Sequence, residues 1–321
     1  MNRPIYKLRD WINPEKLDWC FATNLKNSID FLKENPEYID WNALCYNPNA
    51  IDMIKDNLDK INWNYLCENN EAAIELLTKN QNQINWKYLS NNEYAIELLE
   101  QNLDKIDWKS LSGNINAINI LEKNQDKIDW SVLSSNPNAI HLLEKNQDKI
   151  DWKKLSSNPN AVQILEQNQE KIDWIILSEN PNAIKLLKEN PEKINWFWLS
   201  HNLNAIELLK ENPEKIEWKA ISYNPNAIDL LKDNLDKVYW RTLCANPNAI
   251  HIIEENLNKI RDDDICHWSL SENENIFVLD YEKMKINMEP LYHDIIKEVM
   301  KPERMKKNLE LYGYDIDDMF D

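Results

Sequence analysis

The sequence predicts an all-α protein, a right-handed α-solenoid of eleven short two-helix repeats with a cap at each end. A tryptophan recurs every 22 residues, with a single step of 23. Two groups of apolar residues with helical spacing and then an asparagine follow each tryptophan at fixed distances. A period of this size is typical of stacked-repeat proteins. The tryptophans, counted below as position 0 of their repeats, are Trp19, Trp41, Trp63, Trp86, Trp108, Trp130, Trp152, Trp174, Trp196, Trp218 and Trp240.

The first predicted helix of each repeat begins at the tryptophan. Asp, Asn or Glu usually precedes it, as Asp129 precedes Trp130. Asp and Asn at this position are typical of N-caps, because the side chain accepts a hydrogen bond from a free amide of the first turn. Positions 0, +3 and +4 share one side of the helical wheel, while +1, +2 and +5 share the other. The pattern predicts an amphipathic helix of about a turn and a half.

A second helix is predicted to start at positions +6 and +7, which are Asn and Pro in six repeats, as in Asn136-Pro137. Asn before Pro is a helix-start signal, since Pro has no amide hydrogen to leave unpaired in the first turn. The apolar residues at +9, +10, +12 and +13 cover about 160° of the wheel. These positions predict an amphipathic helix of about ten residues.

Position +16 is asparagine in all eleven repeats. Helices often end on a residue with positive φ, most often Gly and next Asn. Because the chain contains only two glycines, we expect the +16 asparagine to end the second helix with a positive φ. The residues concerned are Asn35, Asn57, Asn80, Asn102, Asn124, Asn146, Asn168, Asn190, Asn212, Asn234 and Asn256.

The alternative fold is a leucine-rich-repeat-like horseshoe, which has a similar period and also stacks asparagines. It requires a strand with alternating apolar residues in every repeat, and the Lys-Ile-Asp-Trp segment is too short to supply one convincingly. The Asn-Pro start and the wide apolar arc therefore favour two helices per repeat. With helix layers about 8–10 Å apart, eleven repeats would stack to roughly 100 Å.

The chain divides into three predicted parts. Residues 1–18 form an N-terminal half-repeat cap, since residues 13–18 reproduce the segment that joins successive repeats. Residues 19–260 hold the eleven tandem repeats. Residues 261–321 form an acidic helical C-terminal cap, with 16 acidic and 8 basic side chains that supply −8 of the formal charge of −18.

The charge and the cysteines limit the classes of partner and the compartment. A chain with 55 acidic and 37 basic residues repels phosphate backbones and acidic membranes. Nucleic acid is therefore an unlikely partner, and no membrane association is expected. Five cysteines without a Cys-x-x-Cys pair, a start unlike a secretory signal and no apolar run near 18 residues indicate an intracellular protein that is not secreted.

The repeat motif (Ile/Leu)-(Asp/Asn)-Trp-x-x-Leu-Ser-x-Asn-Pro-Asn-Ala-Ile-x-Leu-Leu-x-x-Asn resembles a tandem-repeat family that is abundant in giant DNA viruses of amoebae and algae. The segment 276–281, Ile-Phe-Val-Leu-Asp-Tyr, is similar to the tails of the same family. The resemblance covers nearly the whole chain. It implies a virus-encoded, multi-copy repeat protein without established catalytic residues, located in the host cytoplasm or in the virion.

No residue pattern predicts catalysis, a metal site or a cofactor. The five histidines are scattered without a His-x₃-His or Cys/His cluster. Glycine occurs only at 113 and 313, so a P-loop, a Gly-x-Ser-x-Gly elbow and a dinucleotide fingerprint are all excluded. We therefore expect a protein that is not an enzyme.

Position +1 of the first helix carries two candidate binding surfaces. Where this position turns apolar in two successive repeats, a patch for a protein partner is predicted. In five other repeats it is cationic, which could form a strip for an acidic partner such as RNA, although solvated surface charge is the simpler explanation. The predicted patch comprises Ile175, Ile176, Phe197 and Trp198, and the strip comprises Lys87, Lys109, Lys153, Lys219 and Arg241.

The function that follows is a non-enzymatic repeat scaffold for protein–protein interaction. Two alternatives stay open at this stage. One is an RNA- or nucleoprotein-binding repeat protein that uses the cationic strip. The other is an architectural virion component that associates with copies of itself or with capsid neighbours.

Overall fold

The computed structural model describes residues 4–68, 71–260, 264–301 and 304. Over these residues the chain is an all-α solenoid in which short helices follow one another in regular pairs. The described strands are two segments of three residues, and neither lies in a tandem repeat. The helix pairs confirm the α-solenoid and exclude the horseshoe. Residues 1–3 of the predicted N-terminal cap and residues 261–263, 302–303 and 305–321 of the C-terminal cap lie outside the described part.

The first helix of each repeat begins at the tryptophan, as predicted. In a central repeat, Asp129 is the N-cap, and its Oδ1 accepts a hydrogen bond from the Val132 amide at 3.0 Å. The first helices are Trp19–Ala22, Trp41–Leu44, Trp63–Glu68, Trp86–Asn91, Trp108–Gly113, Trp130–Leu133, Trp152–Ser157, Trp174–Leu177, Trp196–His201, Trp218–Ile221 and Trp240–Leu243.

The second helix is shorter than predicted, because it begins at position +10 and not at +7. The asparagine at +6 caps a tight turn: Asn136 Oδ1 accepts from the Asn138 amide at 3.0 Å, and its carbonyl accepts from the Ala139 amide at 3.2 Å. The second helices are Ile29–Glu34, Ile51–Lys55, Ile74–Lys79, Ile96–Glu100, Ile118–Lys123, Ile140–Lys145, Val162–Glu166, Ile184–Glu189, Ile206–Lys210, Ile228–Lys232 and Ile250–Glu255.

Single 3-10 turns complete the helical structure. Most of them lead to the first helix of the next unit, and all of these except Pro14–Lys16, which follows the strand Tyr6–Leu8, come after a second helix; they are Pro14–Lys16, Pro36–Tyr38, Gln81–Gln83, Gln125–Lys127, Gln147–Lys149, Gln169–Lys171, Pro191–Lys193, Pro213–Lys215 and Leu257–Lys259. The others precede a second helix or a strand; these are Glu71–Ala73, Pro225–Ala227, Pro247–Ala249 and Glu274–Ile276.

The asparagine at +16 does not have the positive φ that the sequence suggested, and that prediction is wrong. Asn146 has φ −132° and ψ 49°. Its side chain contributes instead through a hydrogen bond, with Nδ2 donating to the Leu142 carbonyl four residues earlier at 2.9 Å. The same bond recurs at +16 in the other repeats, as from Asn168 to Ile164. The amide thus pairs a carbonyl of the last helical turn that has no intrahelical partner.

One continuous apolar core runs through the stack between the two layers of helices. In a central repeat, Leu133, Ala139, Leu142 and Leu143 are buried. The tryptophan is only partly buried: Trp130 packs on the core with one face and is covered on the outside by a lysine at +19. These side chains bury the apolar face of each repeat against its neighbours.

Two polar side chains join successive repeats inside this core. Ser134, at +4, donates to the Trp130 carbonyl at 2.8 Å and accepts from the Asp151 amide of the next repeat at 3.0 Å. Asn158, at +6, donates through Nδ2 to the carbonyls of Ser134 at 3.1 Å and Asn136 at 3.0 Å in the preceding repeat. The buried Ser134 hydroxyl and the buried Asn158 amide group thus have hydrogen-bond partners, as the burial of polar groups requires.

The stack is curved. At most junctions the first helices of successive repeats pack directly on one another, whereas direct packing between successive second helices is sparse. Elements on the inside of a curved stack lie closer together than elements on the outside. The first helices therefore line the concave side, and positions +1, +2 and +5 belong to this side.

The two ends of the stack meet, and the expected open stack of about 100 Å is wrong. The N-terminal strand Tyr6–Leu8 pairs antiparallel with the C-terminal strand Phe277–Leu279, in the register Lys7 opposite Val278. Just before this strand, the helix Asp264–Leu270 packs on the last tandem repeat at one side. On its other side it packs on the turn Pro14–Lys16. The repeats therefore close into a ring.

The closing element is a twelfth unit to which both ends of the chain contribute. Its first helix and turn are residues 264–276, where Asn273 Nδ2 donates to the Asn246 carbonyl at 2.8 Å, as +6 asparagines do in the tandem repeats. Its connector is residues 13–18 at the other end of the chain. The strand pair stands where the other units have a second helix. We call residues 6–18 together with 264–279 the shared unit.

Polar side chains stabilise the junction between the two ends of the chain, which we call the seam. Arg9 forms an ion pair with Glu254 of the last tandem repeat, and Trp11 Nε1 donates to the same carboxylate at 2.9 Å. Lys26 pairs with Glu274 at 3.0 Å across the junction. Beyond it, the C-terminal helix Tyr281–Val299 leaves the ring with most of its described side chains exposed.

Candidate functional site

The predicted apolar patch lies on the first helices of two successive repeats, Trp174–Leu177 and Trp196–His201. Ile175 and Phe197, both at +1, are 54% and 45% exposed. Trp198, at +2, is 38% exposed, while Ile176 is half-buried. Position +1 is exposed in the other tandem repeats as well, except after Trp130, where Ser131 is half-buried. The two large side chains at this position are presented to solvent and do not contribute to the core.

The two rings of the patch contact each other and a third ring that sequence reasoning missed. Phe197 and Trp198 meet edge to face with centroids 5.4 Å apart. His201, one turn later at +5, packs edge to face on Phe197 at 5.0 Å and contacts Trp198 at 5.8 Å. Its Nδ1 lies 3.1 Å from the Phe197 carbonyl oxygen. The helical wheel could have indicated this, because +5 lies on the same side as +1 and +2.

The cationic strip is exposed at each of its five positions, and it belongs to the same concave layer. Apolar or uncharged residues interrupt it: Ser131, Ile175 and Phe197 occupy three of the four +1 positions between Lys109 and Lys219, and Lys153 occupies the fourth. Lys219 Nζ lies 5.5 Å from the centre of the Tyr239 ring, so an aromatic face already covers part of that cation. The strip is therefore a set of separate charges and not an unbroken basic track.

N-cap carboxylates lie beside these cations in three of the five repeats of the strip, at Asp107, Asp151 and Glu217. The pKa of the Asp107 carboxyl lies below its usual value, first because the Ser110 amide donates to it. Lys87, the +1 residue of the preceding repeat, and Lys109, that of its own repeat, lower that pKa further. Each of these cations thus has an acidic neighbour, and a phosphate backbone would meet carboxylates between them.

Three of the five thiols have a raised pKa, those of Cys20, Cys45 and Cys67. Cys20, the exposed one, donates to Asp40 Oδ2 at 3.3 Å, and this hydrogen bond together with burial raises the pKa of its thiol to about 11. Burial raises the pKa of the Cys45 and Cys67 thiols as well. A catalytic cysteine requires the opposite shift, because the thiolate is the reactive form.

The described residues contain no group of three or more His, Cys, Asp and Glu side chains placed to hold a metal ion. Over the same residues, no helix combines the length and the apolar character needed to cross a bilayer. Comparison with known proteins gave no match to a protein-family model, to a curated protein or to a solved structure. A function for this chain must therefore be inferred from its own residues.

Proposed function

We propose that this ring is a non-enzymatic scaffold that binds a protein partner through Ile175, Ile176, Phe197 and Trp198. The observation that carries the proposal is the exposure of Ile175 and Phe197 at a position where four sister repeats place lysine. The fold itself accepts a polar residue there, so the core does not require an apolar one. Large apolar side chains that are adjacent and exposed mark interaction sites more often than chance.

The arrangement of the rings supports binding as well. Aromatic residues, Trp above all, dominate the energetics of protein interfaces. The contacts of His201 with Phe197 and Trp198 restrict both rings before any partner arrives. A partner would therefore lose less free energy to side-chain ordering than it would on freely rotating rings.

An RNA-binding function draws support from the exposure of the cationic strip, which lies in the same layer as the patch. The carboxylates between the cations and the formal charge of −18 oppose it. We therefore rank it second. The resemblance of the repeat motif to a giant-virus family leads us to propose an intracellular setting for the protein, in the infected host or in the virion. Self-association in the particle is the architectural alternative.

The test is the double substitution Ile175→Lys with Phe197→Lys, which copies the residue of the sister repeats. Asn42→Lys with Asn64→Lys is the matched control, since it adds the same charge at +1 in two other successive repeats. We expect the first variant to keep its unfolding temperature and to lose its partners in quantitative affinity purification from infected cells, while the control keeps them. The oligomeric state of both is measured in parallel, because lost self-association would identify a second copy as the partner.

Two results would contradict the proposal. One is a partner set that the patch variant retains unchanged. The other is a large loss of stability in that variant alone, which would mean that the four side chains contribute to the fold. Binding to RNA that falls steeply with salt and disappears on Lys219→Glu with Arg241→Glu would favour the second function instead.

A further inference from the structure

The residues at positions 0 and +19 form a stacked pair in the tandem repeats. In eight repeats a lysine at +19 places its ammonium over the tryptophan at 0, with Nζ 4.3–5.1 Å from the ring centre. Lys149 over Trp130 is an example, at 4.4 Å. In the first repeat Tyr38 takes the +19 position and stacks on Trp19 at 4.9 Å. The residue at +19 thus packs over the indole at 0 in most repeats, and we call it the cover of that indole.

The shared unit has the cover but lacks the indole. Its position 0 is His267, because Ser271 Oγ donates to the His267 carbonyl at 3.4 Å as Ser134 Oγ does to that of Trp130. Its +19 residue is Lys16, which follows Asn13 as Lys149 follows Asn146. His267 is only 6% exposed, so the imidazole lies inside the structure. An imidazole is much smaller than an indole, and the difference must leave space.

A cavity of about 440 Å³ lies at this place. Its walls come from both ends of the chain and from the last tandem repeat; they include Trp11, Asn13, Lys16, Leu257, Ile260 and His267. Leu257 is at position +17 of the last tandem repeat, which precedes the shared unit in the ring. In the neighbouring unit, the residue at this position provides the acceptor for the indole: Trp19 Nε1 donates to the Pro14 carbonyl at 3.0 Å. Two of its walls, Lys16 and Leu257, thus hold the positions whose residues contact an indole elsewhere in the ring.

The mouth of the cavity has features that suit a polypeptide. Lys16 Nζ is paired with Asp264 at 3.0 Å, but both side chains are partly exposed, and such a pair holds its geometry weakly. The ammonium can therefore move over an incoming ring. Trp268, 60% exposed, and Ile265, also exposed, line an adjoining hollow that shares Lys16. A ligand that fills the cavity from outside would cover these apolar side chains as well.

We propose that the seam cavity is a binding site for an indole-like aromatic side chain presented by a partner polypeptide. The ring would lie under the Lys16 ammonium, as the tandem tryptophans lie under theirs, and the flanking polypeptide would cover Ile265 and Trp268. Because the walls belong to both ends of the chain, the bound ring would also hold the shared unit together. This site is separate from the patch at Ile175 and Phe197 and does not depend on the function proposed for it.

The test measures binding of N-acetyl-tryptophanamide and of free indole to the full-length chain by ligand-observed NMR titration. We expect saturable binding of N-acetyl-tryptophanamide, and its loss on His267→Trp, which restores the residue of the sister repeats and fills the cavity. Lys16→Met should weaken binding about threefold or more by removing the cation above the ring. Lys149→Met, the same change over an intact tryptophan, should leave the affinity unchanged. His267→Phe provides a second, smaller filling residue if the Trp variant does not fold.

Three outcomes would overturn the inference. The first is the absence of saturable binding of either compound to the unmodified protein. The second is binding that survives in a folded His267→Trp or His267→Phe variant, since the ligand would then occupy another place. The third is binding of indole without binding of N-acetyl-tryptophanamide, which would make the site one for a free small aromatic and not for a side chain on a polypeptide.

Discussion

The backbone amide of Asp18 donates a hydrogen bond to Ser271 Oγ at 2.7 Å, although 253 residues separate them in sequence. The same bond joins Asp151 to Ser134 at 3.0 Å, across only 17 residues. The two ends of the chain are thus neighbours in the way that successive repeats are. A closed ring leaves no terminal repeat with an apolar face toward water, a problem that open solenoids solve with polar capping repeats.

Ser271→Ala should weaken the seam by removing the acceptor for the Asp18 amide. Leaving this part-buried amide without its partner costs about 1 kcal/mol. We expect native-state hydrogen exchange to accelerate in residues 6–18 and 264–279 together, with little change at 130–175. Ser134→Ala is the matched control and should accelerate exchange around 130–158 instead. If Ser271→Ala left residues 6–18 as protected as before, the junction would not be equivalent to the contacts between repeats.

Asn158→Ala should cost far more stability than Asn146→Ala. Asn158 is buried; its Nδ2 donates to the Ser134 and Asn136 carbonyls of the preceding repeat, and its Oδ1 accepts from the Asn160 amide. Its loss leaves the Ser134 carbonyl and the Asn160 amide without these partners, whereas the Asn136 carbonyl keeps the Ala139 amide. We expect a loss of about 2–4 kcal/mol in the free energy of unfolding. Asn146 makes one partly exposed bond to the Leu142 carbonyl, which water can replace, and its loss should cost about 1 kcal/mol or less. Chemical denaturation compares the two, and equal losses would disprove the different roles.

Asp151 should make the stability of its repeat pair depend on acid pH. The pKa of its carboxyl is below the ordinary value, first because Ser131 Oγ donates to it at 2.7 Å. A group whose pKa is lower in the folded state stabilises the fold above its unfolded pKa, and that contribution disappears as the pH falls through the folded pKa. The fold is therefore expected to be more stable near neutral pH, where the Asp151 carboxyl is ionised, than below about pH 4.

The measurement for this cap is the free energy of unfolding from neutral to acid pH, in the native protein and in Asp151→Asn. Asparagine keeps the capping role without the charge, as Asn195 does for the Trp198 amide at 3.1 Å. The advantage of the native protein should be largest near neutrality and vanish in acid. A difference that stayed constant over the whole range would show that ionisation of Asp151 does not matter.

Much of the fold could be predicted from the tryptophan period, because each repeat is stabilised mainly by its nearest neighbours. The N-cap at Asp129 and the exposure of Ile175 follow from positions within a single repeat, and both are seen. The φ of Asn146 was mispredicted for a physical reason. At this helix end the Asn146 side chain donates a hydrogen bond to the carbonyl four residues earlier. An asparagine in the sequence is compatible both with that bond and with a left-handed cap, so residue type alone does not distinguish them.

Ring closure could not be predicted from local pattern. The two halves of the shared unit are visible in sequence, as Leu270-Ser271-x-Asn273 near one end and Asn13-Pro14 near the other. Whether they meet depends on the small rotation between successive repeats, summed over eleven of them. That total rotation cannot be deduced from the residues of any single repeat. The cavity beside His267 could not be predicted from local pattern either, because Lys16, which lines it, lies at the opposite end of the chain.

Ring closure is tested most directly by a disulfide between the two strands of the shared unit. The bonds from the Arg9 amide to the Ile276 carbonyl and from the Asp280 amide to the Ile5 carbonyl fix the hydrogen-bonded pairs. Tyr6 and Leu279 therefore form a non-hydrogen-bonded pair. Such pairs have Cα atoms about 4.5 Å apart, within the range of a disulfide. The variant is Tyr6→Cys with Leu279→Cys in a Cys20→Ser background, which removes the exposed native thiol.

The control pairs Tyr6→Cys with Lys149→Cys, on a central repeat. Under mild oxidation at low protein concentration, a closed ring should form the 6–279 disulfide within each monomer and almost none in the control. Intact-mass analysis and non-reducing electrophoresis distinguish the products. Rapid and nearly complete cross-linking within the monomer is the result that the closed ring requires. Thiols at 6 and 279 that stay free, or that join only different molecules, would show that the chain is an open solenoid.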